Sequence, residues 1–166
     1  MKNLMCISLV VFFTIVGCAF QKAWSDDLLT RDQAITVLNE QVIITMAGNL
    51  DYYMAFCPQD MLESGDTVET AYSGDDSYNN EVYTIEGPIW FFFVDTDKWA
   101  KFAHLVYFVY IDASKQNPTL EDGIVVHKHD FWPKINGVVY LKSIDDRFTT
   151  TDLVYGEVPT EMPPED

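Results

Sequence analysis

Apolar positions along this chain follow two different periods. In "LTRDQAITVLNEQVI", Ala34, Val37, Leu38 and Val42 recur at helical spacing and form one stripe. Thr30 and Gln33 fit a capping box, and Leu29 with Ala34 fits a hydrophobic staple. The pattern predicts a helix with one apolar side, lying across something flat. Downstream the period shortens. "LDYYMAFC" at 50–57 is rich in strand formers and stops at Pro58. "TVETAYS" at 67–73 and "EVYTIEG" at 81–87 flank the polar "GDDSYNN" and predict a hairpin. Two apolar runs, 89–94 and 105–111, are separated by "DTDKWAKFAH". Successive side chains of a strand point to opposite faces, so runs apolar at every position predict central antiparallel strands covered on both sides. The helix supplies one cover. A loop, a partner or the C-terminal part of the chain is expected to supply the other. "GIVVHKH" at 123–129 and "NGVVYLKSI" at 136–144 are further strand candidates. Asn136-Gly137 signals a tight turn, and Pro133 is expected to block a regular partner just before it.

The fold class expected from this pattern is α+β: one N-terminal helix packed on an antiparallel sheet, a single small domain at 28–148. Residues 149–166 are acidic and contain proline, which predicts a disordered tail.

The N-terminus lies outside that scheme. "MKNLMCISLVVFFTIVGCAFQKAWSDD" has Lys2, then an apolar run, then a polar turn, the layout of a signal peptide over 1–25. Two cleavage readings compete. One cuts after Ser25, with Ala23 and Ser25 as the small residues. The other treats Ile15-Val16-Gly17-Cys18 as a bacterial lipobox, with Cys18 lipidated and made the mature end. A retained membrane helix is a third reading, for which the run is short. The cysteines favour the lipobox: Cys6 leaves with the leader, Cys18 takes the lipid, and Cys57 remains alone with no internal disulfide to form. An exported protein, anchored in the cell envelope through an N-terminal lipid, is therefore expected.

Charge narrows the partners. Twenty-six Asp and Glu outnumber ten Lys and Arg, for a formal net charge of −16. That excludes a basic nucleic-acid footprint and disfavours an anionic membrane surface. Neither apolar run reaches the roughly 20 residues of a membrane helix, and charges separate them.

Candidate chemistry is sparse. On a strand, His127 and His129 point the same way and could share a metal ion, with Asp130 or His104 as a further ligand. A partly exposed polar strand end explains the same residues. Asp95 and Asp97 could be a carboxylate pair for glycoside hydrolysis, but in "DTDK" a turn role is expected. "GDDSYNN" has the oxygens of a calcium loop without EF-hand spacing, and reads as a solvated turn. Trp90, Trp99, Tyr107 and Tyr110 are candidates to line a sugar or peptide groove, with His104 as a further binding candidate, against the alternative of buried strand aromatics. Cys57 has no basic neighbourhood in "MAFCPQD" and reads as a small buried residue rather than a nucleophile. No nucleophile elbow or phosphate-binding glycine loop is present. No cofactor and no enzymatic activity are expected.

Thr30, Ala34, Ile35 and Leu38 make a helix opening Thr-x-x-x-Ala-Ile-x-x-Leu, followed by an antiparallel sheet. This resembles PepSY and related propeptide-like domains, including propeptide and inhibitor modules of streptopain-type cysteine proteases. Trp90, Phe92, Phe93, Val94, Asp95, Ala103 and His104 similarly match a segment of small secreted bacterial proteins of that sort, with Phe102 in place of a Trp and Leu105 in place of a Pro. The resemblance covers about 30–112. It implies a cystatin-like or PepSY-like layer and a non-catalytic module that engages a protein partner, such as a cysteine protease. The alternatives are a surface module binding glycan or peptide through aromatics, and a small metal-dependent hydrolase using His127 and His129.

Overall fold

The computed structural model describes residues 28–46, 50–71, 81–100, 103–141 and 144–158. Residues 1–27, where a leader and lipobox are expected, the "GDDSYNN" segment and residues 159–166 lie outside the described residues.

The helix starts as its sequence predicts. Thr30 caps α1 (Arg31–Val37): its side chain accepts from the Gln33 N–H, and the Gln33 side chain accepts from the Thr30 N–H. The helix continues as a π-helical turn, Leu38–Val42, and a 3-10 turn, Ile43–Thr45. Spacing explains the change. Ala34, Leu38 and Val42 recur every four residues, which drifts around a helix of 3.6 residues per turn. Widening the turn, with the Ile43 N–H on the Leu38 carbonyl, keeps them on one line. All three are buried, as is Ile43. No described helix is long and apolar enough to cross a membrane.

The strands form two antiparallel sheets. The first is built from β1 (Met54–Phe56), β4 (Ile89–Asp95), β5 (Val106–Asp112), β6 (Ile124–His129) and β9 (Leu153–Tyr155), in the order β6-β5-β4-β1-β9. The second holds β2 (Thr67–Thr70), β3 (Tyr83–Thr84), β7 (Pro133–Ile135) and β8 (Val138–Val139), in the order β3-β2-β7-β8. This is one α+β domain. β4 and β5 pair over their whole lengths, Ile89 with Asp112 through Asp95 with Val106.

Both faces of that central pair are covered from within the chain. Trp90, Phe92, Val94, Tyr107, Val109 and Ile111 pack against the helix through Ala34, Leu38, Val42 and Ile43. Phe91, Phe93, Val106, Phe108 and Tyr110 pack against the second sheet through Val68, Tyr83 and Ile135, with Phe148 of α2 (Ile144–Thr149) beside them. The aromatic run at the centre of the sequence is thus the shared core of two layers.

Four sequence expectations need correction. The strand expected over 136–144 is only Val138–Val139, and α2 begins at Ile144. Pro133 does not prevent pairing. It is the first residue of β7, where a missing N–H is tolerated, and β7 turns back into β8 through Asn136 (φ 51°) and Gly137 (φ 76°). The strand expected over 50–57 is only its last part, since Leu50–Tyr52 is a 3-10 turn. The chain from 149 is not simply a tail. Leu153–Tyr155 pairs with β1, and the Cys57 N–H donates to the Asp152 carbonyl. The short apolar "LVY" was hidden inside an acidic composition. The packed part of the chain therefore runs on through β9. Gly156 (φ +82°) follows β9 so closely that an added Cβ would sit 2.2 Å from the Tyr53 carbonyl oxygen.

Candidate functional site

The aromatic and histidine candidates do not share a surface, and Tyr107 is buried on the helix side of the sheet. Trp90 is 8 % exposed, and its indole N–H donates to the Leu29 carbonyl at 2.8 Å, fixing the helix entry to the sheet. Tyr110 is 6 % exposed and lies between the two sheets. Its hydroxyl has no hydrogen-bond partner among the described residues, and burial raises its pKa. Only Trp99 is half-exposed, in the loop after β4, with the Lys98 ammonium 6.0 Å from its ring centroid. A groove lined by Trp90 and Tyr110 is therefore not formed.

His104 belongs to a buried polar corner at the end of β4. Strand alternation puts Asp95 on the same face as Phe91 and Phe93, and its side chain is fully buried. Arg147, 1 % exposed, donates to Asp95 Oδ2, and His104 Nε2 lies 2.6 Å from Asp95 Oδ1. The Asp97 N–H also donates to Asp95 Oδ1 at 2.9 Å, so the turn role expected of "DTDK" is present. Arg147 stacks over Trp132, its guanidinium carbon 5.3 Å from the ring centroid. Sequence reasoning missed Arg147. The available signal was that a carboxylate ending an otherwise buried strand demands a cation, and the chain has only two arginines, Arg31 and Arg147. Arg31 is used elsewhere, donating to the Cys57 and Pro58 carbonyls. The corner fastens the loop after β4 and α2 to the sheet.

His127 and His129 do point the same way from β6, opposite Phe108 and Val106. Their rings are stacked with centroids 6.3 Å apart. Each already has a neighbour: Tyr83 Oη lies 2.8 Å from His127 Nδ1, and Phe108 lies 4.2 Å from the His129 ring. Tyr83 Oη also donates to Glu81 Oε2 at 2.5 Å, and its pKa is pushed up to about 12 by burial and then by that bond. Burial and then His127 lower the His129 pKa. Asp130 is exposed, just past the strand. Among the described residues, no three of His, Cys, Asp and Glu are grouped so as to hold a metal ion.

Cys57 is buried, and burial pushes its thiol up to about 12 despite Arg31. At that value it is protonated at neutral pH, the unreactive form.

What is open is the edge of the first sheet. β6 is its outermost strand, and no strand lies beyond it among the described residues. In an antiparallel pair, alternate residues turn their backbone groups outward. The Asp112 N–H donates inward to the Gly123 carbonyl, while the Ile124 N–H turns out to Thr119. Continuing that alternation, Val126 and Lys128 present N–H and C=O outward. β6 has six residues, whereas the edge strands β9, β3 and β8 have three, two and two. The fold defines the chain as a small α+β domain with helix, sheet, sheet layering and, among the described residues, a long sheet edge at β6 that no strand covers. Comparison with protein-family models, with curated proteins and with solved structures finds no match.

Proposed function

We propose that this chain is an exported, lipid-anchored, non-enzymatic binding module that engages an extended segment of a protein partner along β6. The observation that carries this reading is the outer edge of β6, which no described strand covers and which turns the backbone groups of Val126 and Lys128 outward, past the point where the Ile124 N–H is taken by Thr119. Such an edge is a template for strand addition, in which main-chain bonds supply affinity and alternate side chains supply specificity. A protease that binds substrates as extended strands is a partner of suitable shape, as the resemblance to propeptide-like modules implies. The leader and the lipobox at Cys18 support export and anchoring. The reactive groups support a non-catalytic role: the Cys57 thiol is held protonated, Asp95 and His104 are engaged with each other, and Tyr83 and His127 are engaged together.

The test is inhibition. Mature protein is titrated against secreted cysteine proteases, alongside Lys128→Pro, which removes an outward N–H at a site where proline is tolerated. Saturable inhibition, lost in Lys128→Pro but kept in Lys128→Thr, supports the reading. Equal inhibition by both variants, or turnover of peptide or ester substrate by the protein itself, overturns it.

A further inference from the structure

The open edge also has a wall. β3 of the second sheet hangs over the face of β6 that carries His127 and His129: the Tyr83 ring lies 4.4 Å from the His127 ring and 6.2 Å from the His129 ring. Glu81, just before β3, is exposed and accepts from Tyr83 Oη, and its carboxylate is felt at His129 together with that of Asp130. The edge at Val126 and Lys128, which no described strand pairs, the aromatic wall and the Glu81 carboxylate therefore meet at one place.

We infer that the segment added along β6 carries a Lys or Arg side chain opposite His127, received by Glu81 and the ring of Tyr83. This rests on the strand-addition reading and adds the chemistry of the partner. The geometry runs as follows. An antiparallel strand bonding to the outward groups of Val126 and Lys128 places the residue between them opposite His127, with its side chain on the Tyr83 side. Glu81 is an exposed carboxylate on that side, and the aromatic ring of Tyr83 beside it suits a cation. Lys128 is offset by one residue and points to the other face, so it does not oppose the charge. Beside this position, Val125 is half-exposed on the same face as His127 and offers an apolar contact. The occupant is a partner protein rather than a second copy of this chain, since two copies at −16 each repel.

The test uses the full mature chain, isotope-labelled, with the peptides Thr-Val-Thr-Xaa-Thr-Val-Thr in which Xaa is Arg, Gln or Glu, at pH 8. The expected order of affinity is Arg, then Gln, then Glu, with shifts at the Val126 and Lys128 amides. Glu81→Gln is expected to weaken the Arg peptide about two- to fivefold and leave the Gln peptide unchanged, the size of an exposed ion pair. Equal binding of all three peptides at those amides overturns the cation inference while strand addition stands. Shifts elsewhere, or none, overturn both. Sedimentation showing a dimer lost in Lys128→Pro would make the occupant a second copy and overturn the inference as well.

Discussion

The two faces of the five-stranded sheet are covered by different materials. Toward the helix the buried residues include no ionised side chain: Leu29, Ala34, Leu38, Val42 and Ile43 meet Trp90, Phe92, Val94, Val109 and Ile111. Toward the second sheet, Phe91, Phe93 and Phe108 share the layer with Asp95 and Arg147, and with the half-buried His127 and His129 beside Tyr83. A non-directional apolar layer needs only volume and shape. A layer holding a buried ion pair is sensitive to each partner, because removing one leaves a charge without compensation. The helix side should therefore behave as ordinary core, and the sheet side as a set of coupled contacts.

The largest effects separate those behaviours. Arg147→Met takes the guanidinium from the buried Asp95, leaving it His104 and the Asp97 N–H, and is expected to cost about 3–5 kcal/mol in denaturant unfolding. Asp95→Leu with Arg147→Met is expected to cost less than Arg147→Met alone, since no buried charge then remains. A double variant as costly as the sum of its singles would show that the pair is not coupled. On the helix side, Phe92→Ala is expected to cost about 3–5 kcal/mol through lost burial and cavity formation, and to add simply with substitutions across the sheet.

Gly156→Ala is a smaller, local test. The new Cβ meets the Tyr53 carbonyl in a left-handed backbone, so a loss of about 1–3 kcal/mol is expected, with faster amide exchange at the β1–β9 pair. An unchanged melting temperature would show that β9 is not held against β1. Thr30→Ala removes the helix cap and is expected to cost about 1 kcal/mol.

The smallest expected effect is with pH. The His129 pKa lies below its ordinary 6.5, because burial and then His127 disfavour the charged ring, against smaller raising effects of Glu81 and Asp130. The unfolded chain thus binds this proton more tightly than the folded chain. Stability is expected to fall as pH drops below about 6.5 and to level off once pH is below the folded value. His129→Phe should flatten that part of the curve. A curve unchanged by the substitution would place the pH response elsewhere.

How much of this could be read in the sequence follows from the range of each interaction. The helix cap was legible because Thr30 and Gln33 are three residues apart. β4 and β5 were legible because an all-apolar run states its own burial. Their alternation could not say which layer lay on which side. Asp95 read as a turn residue, and it is one through Asp97, but its buried partner Arg147 lies 52 residues away. Nothing local links them. β9 was obscured because three strand residues sit in a proline-containing acidic stretch. The wall over β6 was equally out of reach, because Tyr83 meets His127 across 44 residues. Of the candidate residues, His127 and His129 come together as strand geometry requires, while Trp90 and Tyr110 are divided between the two layers.

Amide hydrogen exchange along β6 tests the central claim most directly. In the free protein, Val126 and Lys128 are expected to exchange fast, while Val125 and His127, bonded to β5, exchange slowly. When an inhibited protease or a bound extended peptide is present, Val126 and Lys128 should become protected together. Slow exchange of both amides in the free protein, or protection on binding that appears elsewhere and leaves them unchanged, would contradict a partner strand added at this edge.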